Sequence, residues 1–250
     1  NIANIWLVLG VAGILMPIAV EPGALRRDGW MLLIGTGLFT GLTYRGEIDL
    51  FAGLVLLAYF IGFLVYSYLR EKQGLDEAGE MYEHEVDDID GVPDSLLKIL
   101  VYLIIGFAGL IYGADILVEG GVAIARTFGV SEAVIGLTVI AFGTSLPELA
   151  ATIVAAMRKH SDVAVGNVVG SNIFNVVGIV GVVSVITPME MPARVINFDI
   201  WIMLAATLIL MPYMIGRRDR LGRLEGSLFL GAYIIYIAAI GYGVESLIPA

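Results

Sequence analysis

The 250-residue sequence contains no cysteine, which excludes disulfide cross-links, thiolate catalysis and cysteine-ligated metal centres. It holds two histidines, His84 and His160, and both fall in polar stretches, so imidazole-based metal binding or proton transfer has little to work with. Charge is also scarce. Charged residues make up 15% of the chain against 58% hydrophobic, and mean hydropathy is +0.90. A water-soluble domain of this size would need far more charge to cover its surface. The sequence carries no GxGxxG fingerprint, phosphate loop or basic nucleic-acid patch, so neither a nucleotide cofactor nor a nucleic-acid partner is expected.

What the chain has instead is a series of long apolar runs. They predict an all-α polytopic membrane protein in a lipid bilayer, with about eight spans near 2–20, 29–44, 48–69, 96–118, 132–157, 163–187, 195–215 and 226–247. The second is short for a span and reads as tilted or extended by its neighbours. The fourth is followed by "EGGVAIARTFGVSE", which can continue the helix. Glycine is abundant, at 31 residues, as close helix packing in lipid requires. Trp6, Trp30 and Trp201 read as packing or interface residues.

Loop charges orient the spans. Arg26, Arg27, Arg70, Lys72, Lys98, Arg158, Lys159, Arg217, Arg218, Arg220 and Arg223 fall on one side, and Arg45, Arg126 and Arg194 on the other. The basic side is predicted to be cytoplasmic, which sets the C-terminus on the opposite side. Three parts follow: 1–70 with three spans, an acidic cytoplasmic linker at 71–94, and 95–250 with five spans. The linker "DEAGEMYEHEVDDID" lacks the glycine and ligand spacing of an EF-hand and reads as a solvated charged connection rather than a calcium sensor.

Two distant strings match. "NIANIWLVLG" (1–10) aligns with "NIFNVVGIVG" (172–181), pairing Asn1 with Asn172, Asn4 with Asn175 and Gly10 with Gly181. In the charge-derived orientation the two run in opposite directions across the membrane, the mark of an inverted-topology repeat. The second string is preceded by "AFGTSLPELAATIVAA" (141–156), whose counterpart would lie before residue 1. The chain is therefore expected to be a fragment that lacks the first part of its first repeat.

That polar string is out of place in a membrane helix. Pro147 has no N–H, so the Gly143 carbonyl loses its helical partner and the helix kinks or unwinds. Thr144 and Ser145 lie four and three residues before Glu148, on a shared face. Hydroxyls, freed carbonyls and one carboxylate form an all-oxygen set suited to hard cations such as sodium and calcium. Taken singly, the hydroxyls could bond back to the preceding turn and the proline could simply bend the helix. Glu148 cannot be read so simply, because an ionisable group at mid-span is costly. In "GNVVGSNIFNVVGIVG" (166–181), Ser171 and Asn175 are four apart on one face; alone, they would equally suit an interhelical clasp. Asp115 and Glu119 could line an access path, but a structural anchoring role near the helix end is favoured. Asp199 and Glu245 read as span-end residues.

These strings carry a resemblance. "GTSLPE" (143–148), followed by "GNVVGSNIFN" (166–175), resembles the second α-repeat of the calcium/cation antiporter superfamily in its sodium/calcium exchanger branch. "YGADILVEGGVAIARTFGVSEAVIGLTVIAFGTSLPEL" (112–149) is similar to that family throughout. The resemblance implies ten spans in two inverted halves of five, of which this chain would hold the third to the tenth. It implies that calcium and sodium ions are bound by Thr144, Ser145, Glu148, Ser171 and Asn175, the backbone carbonyl of Ala141, and Asn4 from the first repeat. Some members carry Asp where this chain has Asn175, which leaves potassium dependence and ion stoichiometry open. The family's calcium site takes one glutamate from each repeat and this chain has only Glu148, so the 250 residues alone are expected to be inactive.

The function so implied is secondary active antiport of sodium against calcium at the membrane midplane. A calcium/proton antiporter is the nearest alternative; that branch shows a Gly-Asn-x-x-Glu string in place of Gly143-Thr144-Ser145-Leu146-Pro147-Glu148. An intramembrane aspartyl protease would need Asp115 and Asp199 together and a Gly-x-Gly-Asp string, which is absent. A passive channel is the third reading. No enzymatic activity and no cofactor are expected, and a homo-oligomer stays open.

Overall fold

The computed structural model describes residues 1–20, 22–72, 95–130, 135, 138–139 and 141–243. Most of the acidic stretch 71–94, as well as Glu245, lies outside the described residues. Helices dominate, because a backbone in lipid must satisfy its own hydrogen bonds. The order is α1 (Ala3–Leu15), β1 (Ile18–Ala19), α2 (Pro22–Thr43), β2 (Glu47–Ile48), α3 (Leu50–Lys72) and α4 (Leu96–Thr127). Then follow α5 (Ala141–Thr144), α6 (Leu146–Met157), α7 (161–186), β3 (Met189–Glu190), α8 (195–208), α9 (Met211–Met214), β4 (Arg220–Leu221) and α10 (Arg223–Gly241).

Among the described residues, five helices are long and apolar enough to cross a membrane: Leu50–Arg70, Leu96–Thr127, Val163–Ile186, Val195–Met214 and Arg223–Gly241. Ala3–Leu15 and Leu146–Met157 are apolar but shorter. The second expected span is longer than its apolar run suggested. It is a 22-residue helix that begins at Pro22, a residue pre-set for the first helical turn. Its charged start is held by an ion pair between Arg27 Nε and Asp28 Oδ1 at 2.6 Å. The fourth helix does continue through "EGGVAIART", reaching 32 residues with none buried.

Helices α1 and α7 form the centre of the bundle. Ile5, Val8, Leu9, Ala164, Val168 and Val177 are all at most 1% exposed, so both helices contribute buried apolar side chains to the core. Their backbones share an unusual course. Helix α1 is π-helical over Ala3–Val8 and α-helical over Leu9–Leu15, ending at Met16 with φ −146° and ψ 124°. Helix α7, after its first stretch Ser161–Ile173, is π-helical over Phe174–Ile179 and α-helical over Val180–Ile186, ending at Thr187 with φ −147° and ψ 124°. Each leads into a two-residue strand.

The strands act as clips at the helix ends. β1 pairs antiparallel with β4, Ile18 opposite Leu221, and β2 pairs with β3, Ile48 opposite Met189. β1 and β2 flank α2, so the two clips sit at opposite ends of that helix. Glycines set matching helix crossings. A Cβ on Gly226 of α10 would lie 2.7 Å from the Gly10 carbonyl oxygen in α1, and one on Gly53 of α3 would lie 3.1 Å from the Gly181 carbonyl oxygen in α7. Backbone approaches this close need glycine on both sides.

Candidate functional site

The helix expected over 132–157 breaks where proline predicts it. α5 ends at Thr144, Ser145 adopts φ −96° and ψ 2°, and α6 starts at Leu146 with Pro147 in its first turn. The Ser145 N–H donates to the Phe142 carbonyl at 3.0 Å, a tightened turn in place of the regular helical bond. Ser145 supplies no side-chain cap to α6, so its hydroxyl is not committed to that helix end.

Glu148 lies in the first turn of α6 and is half-buried. Its Oε2 is buried and has no hydrogen-bond donor. A buried carboxylate oxygen without a donor is costly, and a cation is the partner that relieves it. The start of α1 packs against this helix.

α6 returns through a short turn into α7, where Lys159 takes φ 66°. The two helices are tied beside the acid. Asn167 Nδ2 donates to Thr152 Oγ1 at 3.1 Å and to the Glu148 carbonyl at 3.4 Å. One and two turns further along the same face of α7 stand Ser171 and Asn175, both half-buried. Asn175 is the second residue of the π-helical stretch of α7, and Asn4, 2% exposed, is the second residue of that of α1. A π-helical stretch widens the backbone and recurs at functional sites. The two helices meet where Asn1 Nδ2 donates to the Asn172 carbonyl at 2.9 Å.

α6, which carries Glu148, thus packs against both α1, which carries Asn4, and α7, which carries Ser171 and Asn175. Thr144 and Ser145 line a cavity of about 420 Å³, whose wall includes Asn1, Arg194, Asp199 and Tyr236. Glu148 is not among the residues lining that cavity. Ala141 is the first residue of α5. Among the described residues no group of three or more His, Asp or Glu could hold a metal ion by itself, so any cation here depends on neutral oxygens beside one carboxylate.

Sequence reasoning undervalued two features. Asp199, expected near a span end and weighed otherwise only with Asp115 in the protease reading, reaches the same cavity as Thr144 and Ser145. It closes a π-helical stretch, Val195–Asp199, accepts from Arg194 Nε at 2.8 Å, and takes the Tyr236 hydroxyl at 3.0 Å. Thr152 and Asn167 were passed over, although their spacing was visible: Thr144, Glu148 and Thr152 are four apart, as are Asn167, Ser171 and Asn175. Asp115 and Glu119 are exposed and lie well inside α4 rather than near its end.

The sequence matches the family model for the sodium/calcium exchanger protein over residues 1–69 and 98–242. It is 36% identical over 238 residues to the putative antiporter CaxA of Alkalimonas amylolytica, covering 94% of this chain and 74% of that protein. To the sodium/calcium exchanger MaX1 of Methanosarcina acetivorans it is 29% identical over 273 residues, covering 97% and 78%. Among solved structures, the sodium-calcium exchanger NCX_Mj soaked with zero Na+ and Ca2+ superposes with a TM-score of 0.73 at 33% identity, covering 95% of this chain and 72% of that one.

Proposed function

The chain belongs to the sodium/calcium exchanger family, and from that premise we propose that it exchanges sodium for calcium across the cell membrane through an oxygen site centred on Glu148. The observation that carries the reading is the broken helix at Ser145–Pro147, which sets a half-buried carboxylate with a donorless oxygen against α1 and α7. Thr144, Ser145, Ser171, Asn175 and Asn4, with the carbonyl of Ala141, complete the proposed ligand set. All are neutral oxygen donors, the chemistry that hard cations prefer.

We read the fold as an inverted-topology repeat with eight spans in this chain: three in 1–70 and five in 95–250. The recurrence of π-helix, α-helix and clip in α1 and α7 supports it, as do the clips at opposite ends of α2. Sodium and calcium compete for overlapping oxygens beside one acid, so occupancy by one disfavours the other. Alternate opening to the two sides then couples their flows. In this reading the face carrying Arg217–Arg223 is cytoplasmic, with the acidic linker on the same side.

One carboxylate balances a divalent ion poorly in low dielectric. The 250 residues taken alone are therefore expected to bind calcium weakly and to exchange poorly. Calcium/proton exchange is the second reading, because a donorless carboxylate can also carry a proton. The deciding experiment is sodium-gradient-driven calcium uptake into vesicles by the full-length natural protein, wild type against Glu148→Gln. Loss of uptake in the variant supports the proposal, and unchanged uptake removes Glu148 from the mechanism.

A further inference from the structure

The first turn of α6 follows a break. α5 stops at Thr144 and Ser145 gives no side-chain cap, so the turn starts on its own backbone bond, the Leu149 N–H donating to the Ser145 carbonyl at 2.9 Å. A cation site needs its charged ligand fixed to within a fraction of an ångström. A neighbouring helix can add to that restraint, and one residue of α7 is placed to do so. Asn167 Nδ2 sits 3.4 Å from the Glu148 carbonyl and 3.1 Å from Thr152 Oγ1.

We infer that Asn167 is a positioning residue for Glu148. The reading rests on the function proposed above. Chemistry fixes which end of the amide faces α6: the Glu148 carbonyl can only accept, so the nitrogen and not the oxygen must point at it. A primary amide carries two N–H groups, so one side chain can serve both acceptors at once. Thr152, one turn beyond Glu148, is 0% exposed, so its hydroxyl has no water to turn to and keeps the amide in place. Asn167 also stands one turn before Ser171 on α7. The same bond that holds Glu148 therefore keeps α6 in register with the helix carrying Ser171 and Asn175, and the carboxylate and its neutral neighbours move as one unit. Asn167 touches no ion in this account; it acts through the backbone of Glu148.

The test uses the full-length natural protein in vesicles, reading initial rates of sodium-gradient-driven calcium uptake against calcium concentration, with thermal midpoints measured in detergent. Asn167→Leu keeps the volume and removes both donors, while Asn167→Asp keeps the shape and turns an acceptor toward the carbonyl. Both are expected to raise the apparent KM for calcium about tenfold or more, the usual cost of losing an outer partner of a metal ligand. Thr152→Ser retains the hydroxyl and should behave as wild type, whereas Thr152→Val should raise KM in the same direction. A wild-type KM in Asn167→Asp or in Thr152→Val overturns the inference, as does a fall in maximal rate and thermal midpoint with KM unchanged, the pattern of a purely structural clasp. Glu148→Gln in the same vesicles separates the two claims. If it is silent while the Asn167 variants match wild type, only the positioning role fails. If it exchanges normally, the proposed function fails first.

Discussion

Gly226 of α10 stands directly against Gly10 of α1: a Cβ built on Gly226 would lie 2.7 Å from the Gly10 carbonyl oxygen and 2.8 Å from the Ile14 nitrogen. Both neighbours are backbone and cannot rotate aside. Gly226→Ala should therefore push the helices apart and cost about 1–3 kcal/mol, the range for overpacking a tight interior. Gly231 lies on the same helix with nothing within 4 Å of an added Cβ, so Gly231→Ala should be neutral or slightly stabilising. Thermal unfolding in detergent distinguishes them, and equal midpoints for the two variants would contradict the crossing.

Glu148 is expected to be needed for its charge and its reach. Glu148→Gln keeps the shape, removes the charge and should abolish exchange. Glu148→Asp keeps the charge on a shorter stem and should retain a small part of it with a raised KM for calcium. Calcium uptake at saturating and limiting concentrations reads both. The assignment would not survive if Gln and Asp were equally active.

How much of this site was legible beforehand depends on the kind of signal. Pro147 announced the break, because a missing N–H acts locally whatever the surroundings. The match of Asn1–Gly10 to Asn172–Gly181 announced a shared backbone, and α1 and α7 do follow the same course. Their π-helical stretches were not legible, since an extra residue in a helical turn leaves no mark on hydrophobic spacing. The helix of the second span starts at Pro22, before the apolar run, because Arg26 and Arg27 are helical yet carry no apolar signal. Asn167 and Asp199 were underrated for one reason: their meaning lies in partners 15 and 37 positions away, which no local pattern reveals.

The Tyr236 hydroxyl donates to Asp199 Oδ1 at 3.0 Å while Arg194 holds the other carboxylate oxygen at 2.8 Å. A hydrogen bond to a charged acceptor is worth about 1.5–3 kcal/mol. Tyr236→Phe should lower stability at the bottom of that range, about 1.5 kcal/mol, because the side chain of Asp199 is still 13% exposed. Chemical denaturation compared across wild type, Tyr236→Phe and Asp199→Asn checks this. The double variant should cost less than the sum of the two singles if the residues are coupled as the geometry indicates.

The orientation of the bundle can be tested through what the sequence lacks. With no native thiol in these residues, a cysteine introduced at Arg217 or Glu190 is the sole reactive site within them. Both positions are exposed and lie beside different clips, β4 and β3. A membrane-impermeant maleimide should reach Arg217→Cys only from the cytoplasmic face and Glu190→Cys only from the outside. Labelling of both from one face would overturn the charge-based topology.

The proposed sodium coupling can be tested at the helix break. A proton needs only the carboxylate, whereas a sodium ion needs several further oxygens, which the proposed site takes in part from Thr144 and Ser145 beside the helix break. Vesicles loaded with sodium should take up calcium at full rate when a protonophore has collapsed any pH gradient, and should stop when the sodium is replaced by choline. Ser145 is 6% exposed, so Ser145→Ala removes an oxygen that water cannot easily replace. It should raise the sodium concentration needed for half-maximal exchange more than it raises that for calcium, which can lean on the charge of Glu148. Calcium uptake driven by a pH gradient in choline, undiminished in Ser145→Ala, would transfer the coupling to protons and leave the hydroxyls a structural part.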